Sequence, residues 1–211
     1  NGGFRVGTVG RIIDNVEVKI AEDGEILVKG PNVMLGYYKD SEKTAEVMTG
    51  DYFHTGDIGE ISSDGFLKIT DRKKEMFKTS GGKYIVPQAM ENRFKQSRFI
   101  EQIMVIGEGE KFPAAFVVPN FAYAKEWANR HGLRFESMSN EEIAKQSEFI
   151  ERMNQEIAEI NQVFGNWEQV KKIALLPAEF TIDGGELTPT LKLKRKKILE
   201  KYQEGYQKIF S

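Results

Sequence analysis

The chain has 211 residues, 40% of them apolar and 29% charged, with a formal net charge of −2. That composition can bury the core of one large domain or two smaller ones, and it excludes an overall field that would draw the protein to nucleic acid or a membrane. Cys is absent, which removes disulfides and thiolate zinc sites and fits a reducing cytoplasm.

No apolar run approaches the length of a membrane span, and no signal-peptide pattern opens the chain. It starts at Asn1 and goes at once into strand-like text, so it reads as a piece of something longer. Residues 1–70 read as β. "VEVKI" (16–20) and "EILVKG" (25–30) alternate and are joined by a hairpin turn at Asp23-Gly24. "DIGEIS" and "GFLKIT" form a second hairpin around Ser63-Asp64-Gly65, which leaves "HTGDIG" (54–59) as a turn between strands. Between the hairpins, 41–48 is a short helical turn that Ser41 can cap.

After Thr70 the text turns polar and basic, and Pro87 then opens a helix through Ser97, since Pro suits the first helical position. Strands are expected at 102–107 and 114–119, and a helix over 121–132 ends at a glycine. The strongest helix covers 140–164. Ser139 and Glu142 make a capping box, and Ile143, Ile150, Ile157 and Phe164 repeat every seventh residue beside Met153 and Ile160. A last strand (171–177), a loop through Asp183-Gly184-Gly185 and a basic helix over 194–210 complete the chain. The texture breaks near Asp71: β before it, mixed α+β after it.

Three stretches could carry chemistry. In Thr55-Gly56-Asp57 a carboxylate can accept the two hydroxyls of a ribose, or it can close an Asx turn. His54 beside it reads as a packed or solvated side chain rather than a base. Asp71-Arg72-Lys73-Lys74-Glu75, with Lys78 and the loop Thr79-Ser80-Gly81-Gly82-Lys83, can approach phosphate or a narrow thiol arm, or it can be a solvated linker or a hinge. In "GELTPTLKLKRKKI" (185–198) a lysine held by the turn can reach a phosphoryl group as a point charge, or the run is a solvated face.

Taken in order, Gly24–Gly30 through Gly36-Tyr37-Tyr38, then Tyr52–Asp57, then Asp71–Glu75, then "LTPTLKLKR" (187–195) resemble the adenylate-forming acyl-CoA synthetases. The "TPTLKLKR" ending and the helical insertion before it look like the long-chain fatty-acid CoA ligases in particular. The resemblance covers essentially the whole chain. It implies an α+β fold: a β-rich subdomain over 1–71, part of the distorted barrel of a large adenylating domain, then a small mixed α+β lid over 72–211. The activity implied is acyl-adenylate formation from a fatty acid and ATP with release of pyrophosphate, then thioester formation with coenzyme A.

By the same likeness Asp57 would hold the ribose of ATP, Arg72 would contact that nucleotide and Lys74 would be the hinge. Lys192 would bridge the substrate carboxylate and the α-phosphate, with Lys194 in reserve because Leu191 stands where many relatives have Gly. Lys78 and Ser80-Gly81-Gly82 would border the coenzyme A tunnel. The phosphate loop and the motif whose Glu helps hold Mg²⁺ are missing, so no metal site is expected here and the isolated chain is expected to be inactive. The expected setting is cytoplasmic, without nucleic acid, with contact to a membrane surface and oligomeric state left open. Two alternatives stand beside this reading. One is another adenylating enzyme, such as an aryl-CoA ligase or a peptide-synthetase adenylation domain. The other is a non-catalytic module gripping nucleic acid or a protein through its basic segments, which predicts steep salt dependence.

Overall fold

The computed structural model describes residues 4–211, the side chains of Asp71 and Lys74 excepted. The chain is α+β and forms two compact units, one ending at Met76 and the other spanning Phe77–Ser211.

The first unit is an antiparallel sheet. Its strands are β1 (Gly10–Arg11), β2 (Glu17–Ile20), β3 (Glu25–Lys29), β4 (Met48–Thr49), β5 (Tyr52–Ile61) and β6 (Phe66–Arg72). They run in the order β1-β6-β5-β3-β2, with β4 also paired to β5. The β2–β3 hairpin has the expected register, Glu17 opposite Lys29 and Ile20 opposite Ile26. The second hairpin differs from expectation. Its first strand starts at Tyr52, so "HTGDIG" lies inside β5 and is not a turn between strands. Helix α1 (Ser41–Glu46) is capped by Asp40, whose carboxylate accepts the Lys43 N–H; Ser41 is the first helical residue, not the cap. A 3₁₀ turn at Lys73–Glu75 follows β6.

The second unit opens with the small hairpin β7 (Phe77–Lys78) and β8 (Tyr84–Ile85). Helix α2 (Pro87–Phe94) starts on its proline and stops three residues before the expected end. Strands β9 (Ile100–Ile106), β10 (Ala114–Pro119) and β11 (Lys172–Leu175) form a sheet in the order β11-β10-β9. Strand β10 is antiparallel to β9 and parallel to β11. Every residue of β10 is buried, because helices cover both faces. Ile103, Val105, Ala115 and Val117 face α2, α3 (Phe121–Arg130) and α5 (Ser147–Asn161) through Phe94, Ala124, Ala128, Phe149, Met153 and Ile157. Met104, Ile106, Phe116 and Val118 face α6 (Arg195–Lys201) and α7 (Gln203–Phe210) through Ile198 and Ile209. Burial on both sides is why these strands read as unbroken apolar runs.

Two expected single helices are each divided. The segment 140–164 becomes α4 (Asn140–Ile143), capped by the Ser139/Glu142 box, and α5, with extended backbone at Gln146 between them. The break changes the helical phase: Phe149, Met153 and Ile157 face inward, while Ile150 is left 37% exposed. Packing the Phe149 ring and the Met153 side chain into the core outweighs a strict seven-residue repeat. The basic tail divides at Tyr202, whose ring packs at a tilt against Phe116 and edge-on against Phe180. No helix among the described residues is long and apolar enough to cross a membrane.

Candidate functional site

Asp57 owes its position to a bulge. Strand β3 pairs Leu27 with His54 and Glu25 with Ile58, so two steps of β3 are matched to four of β5. Thr55-Gly56-Asp57 stands opposite Ile26 alone, two residues in excess, and bows out of the ladder. Gly56 takes φ +71°, a left-handed conformation that glycine adopts at no steric cost. The Thr55 hydroxyl donates to the Ile26 carbonyl at 2.7 Å and accepts the Asp57 N–H at 3.1 Å. On the other edge, Asp57 sits opposite Arg72 and takes its guanidinium Nε at 2.9 Å. The Asp57 side chain is 22% exposed and that of Arg72 61%, so the pair offers solvent a carboxylate beside an exposed cation.

Behind the bulge lies Glu25, its side chain 4% exposed. One carboxylate oxygen accepts the Gly56 N–H at 3.0 Å. The other meets His54 Nδ1 at 2.8 Å and the Lys73 ammonium at 2.7 Å. Burial by itself would raise this carboxyl's pKa; the bonds from His54, Lys73 and Gly56 outweigh it and hold the group below its ordinary value. Bonds to Asp23 and Glu25 in turn raise Lys73 above the usual lysine range. His54, expected to be a packed or solvated side chain, is partly exposed and held between Glu25 and the Thr49 hydroxyl, which lies 2.8 Å from Nε2. Lys74, the expected hinge, falls in the 3₁₀ turn, and its side chain is outside the described residues.

Lys78 and Ser80-Gly81-Gly82 are brought together by a hairpin that the sequence pattern did not disclose. Lys78 ends β7, and the Thr79 N–H closes the turn on the Lys83 carbonyl at 3.0 Å. The Ser80 N–H donates to Glu110 and the Gly109 N–H to Lys78, tying the turn to the β9–β10 loop. The Lys78 ammonium lies 4.6 Å from the centre of the half-exposed Tyr84 ring.

Lys192 stands apart from that turn, and no hydrogen bond or ion pair among the described residues joins the two. It closes a tight loop whose base is the Leu187–Leu193 bridge. The Thr188 N–H donates to the Lys192 carbonyl at 2.8 Å, and the Thr188 hydroxyl accepts the Lys192 N–H at 3.0 Å. Leu191 takes φ +60°, which explains how the loop accommodates a position that glycine would fill without strain. Lys192 is exposed, and no side chain among the described residues bonds its ammonium. Lys194, also exposed, donates its backbone N–H to the Glu186 carbonyl at 2.7 Å.

Two buried carboxylates anchor the stem of this loop. Glu186 bonds the Thr181 N–H and pairs with Lys201, which holds it below the usual carboxylate range. Glu91 is 1% exposed and takes Arg195 on both oxygens, at 2.7 and 2.9 Å, plus the Val105 N–H. Burial pushes Glu91 upward, opposed by the Arg195 charge.

Residues 74–211 match the family of AMP-binding enzyme C-terminal domains. This chain belongs to that family. The whole sequence is 34% identical over 208 residues to the long-chain-fatty-acid–CoA ligase FadD15 of Mycobacterium tuberculosis, covering 99% of this chain and 34% of that protein. It is 40% identical over 193 residues to long-chain-fatty-acid–CoA ligase 1 of Homo sapiens, covering 90% of this chain and 27% of that one. The chain thus spans about a third of the length of the curated relatives it matches. Among solved structures, the adenylation domain of a carboxylic acid reductase from Segniliparus rugosus, in complex with AMP and a co-purified carboxylic acid, is similar with a TM-score of 0.71. That likeness covers 92% of this chain and 31% of the other at 23% identity, a likeness of fold.

In this chain the buried ionic residues are what sequence reasoning missed. For Glu91 a signal existed: Pro87, Met90, Glu91 and Phe94 share one helical face, so the carboxylate is on the inward stripe. For Glu25 the sequence carries no comparable signal, because its burial depends on the bulge.

Proposed function

We propose that this chain provides the nucleotide-binding β subdomain and the lid of an ATP-dependent long-chain fatty-acid CoA ligase. The subdomain is residues 1–71, the lid 72–211, and the hinge lies near Lys74. The reaction is acyl-adenylate formation with release of pyrophosphate, followed by transfer of the acyl group to coenzyme A. Asp57 accepts the ribose hydroxyls of ATP, Arg72 contacts the same nucleotide, and Lys192 neutralises the substrate carboxylate and the α-phosphate as adenylate forms. Lys78 and Ser80-Gly81-Gly82 border the path of coenzyme A in the second step.

The observation that carries this reading is the Lys192 loop. Its backbone is closed by Thr188 and its stem is anchored by Glu91 and Glu186, while the ammonium is left with no anionic partner among the described residues. A lysine held this way can serve two converging anions without first breaking an ion pair, and its charge gains value as water is excluded. No group of three or more His, Asp or Glu side chains that could hold a metal gathers among the described residues.

The test uses Lys192→Ala in the full-length protein. Pyrophosphate release from ATP and fatty acid should fall by about 10²–10³-fold. Thioester formation from preformed acyl-adenylate and coenzyme A should stay within a few-fold of wild type. Persistence of both steps moves the role to Lys194 or rejects the reading of this loop.

A further inference from the structure

We infer that Glu25 is a positioning residue for the nucleotide site, gripping the Thr55–Asp57 bulge and the Arg72–Lys73 stem at once. The inference rests on the proposed function, in which Asp57 and Arg72 meet ATP.

The bulge removes β5 from its backbone ladder with β3 where Asp57 must project. The Gly56 N–H is thereby deprived of a strand partner, and the Glu25 carboxylate supplies the acceptor from the neighbouring strand. The same carboxylate binds Lys73, the residue that follows Arg72 and precedes the expected hinge. Lys73 also reaches Asp23, at 2.7 Å, in the turn that leads into β3. The Thr55 hydroxyl secures the bulge, and the Asp57–Arg72 pair lies at the exposed edge. Glu25 bonds both Gly56, the residue before Asp57, and Lys73, the residue after Arg72. Were the role purely one of packing, an apolar side chain would fill the space without the cost of burying a carboxylate. A charged acceptor is what the N–H, the imidazole and the ammonium around it require.

Steady-state kinetics of the full-length protein tests the inference. Glu25→Gln keeps the shape and loses the charge that holds Lys73; the KM for ATP should rise about ten-fold while the KM for fatty acid and kcat stay within about three-fold. Lys73→Met changes a side chain that is 43% exposed and leaves the core intact; it should raise the KM for ATP in the same direction, and Lys73→Arg should restore it. If Glu25→Gln fails to fold, the Lys73 pair decides. A KM for ATP unchanged in both Glu25→Gln and Lys73→Met, whatever the loss of thermal stability, overturns the positioning role. Asp57→Asn is the reference. If it raises the KM for ATP while the other two do not, only this inference fails. If it too leaves the KM unmoved, the assignment of the nucleotide to Asp57 fails with it.

Discussion

The Thr55–Asp57 bulge and the Thr188–Lys192 loop solve the same problem in opposite ways. Each projects one charged side chain from a short irregular segment, and each is braced from behind by buried carboxylates. Asp57, whose proposed ligand is a pair of neutral hydroxyls, already has its charge balanced by Arg72. Lys192, whose proposed ligands are two anions, keeps its charge unpaired among the described residues. A group that accepts hydrogen bonds gains most from fixed geometry; a group that stabilises developing charge gains most from having nothing to give up. The left-handed residue differs as well: glycine in the bulge, leucine in the loop.

The comparison breaks most visibly at the brace of the loop. Glu91→Ala leaves the partly buried Arg195 without its carboxylate, and a loss of about 3–5 kcal/mol is expected in denaturant titration of the full-length protein. A loss under about 1 kcal/mol would mean that the stem is not held there. Next is the left-handed position of the bulge. In Gly56→Ala the added Cβ meets open space, so only backbone strain opposes it, and about 1–2 kcal/mol should be lost. Leu191→Gly is the mirror test and should change stability by less than about 1 kcal/mol, since relief of strain is offset by a freer unfolded chain. A large loss there would show that the leucine side chain itself is used.

The smallest effect expected is one of pH. Lys201 holds Glu186 below its ordinary value, so the contribution of this pair is complete above that value and is lost as pH falls through the lowered one. Thermal midpoints taken between about pH 5 and 3 should therefore drop less in Lys201→Gln than in wild type. Equal acid slopes would show that the pair contributes nothing there.

Much of the fold is legible because it rests on local patterns. The alternation of Glu17–Ile20 against Glu25–Lys29, the glycine at the turn between them, Pro87 at the start of α2 and the Ser139/Glu142 box each concern neighbours in sequence. Local pattern failed where a long-range contact competed with it. The repeat through Ile150 favours one helix over 140–164, and burial of Phe149 against Phe135 and Trp127 divides it. The β5 strand swallowed an expected turn because β4 and β3 both pair with it.

The same division runs through the candidate site. Local sequence settled which side chains are available, Asp57, Arg72, Lys78 and Lys192, and placed Asp57, Lys78 and Lys192 near glycine, threonine or proline. Tertiary structure alone decided that Gly56 would sit in a bulge, that Glu25 would be buried behind it, and that Glu91 would meet Arg195 across 104 residues. The reason is physical. A turn is decided by the torsional preferences of a few adjacent residues, whereas a buried charge is tolerable only where partners distant in the chain converge on it.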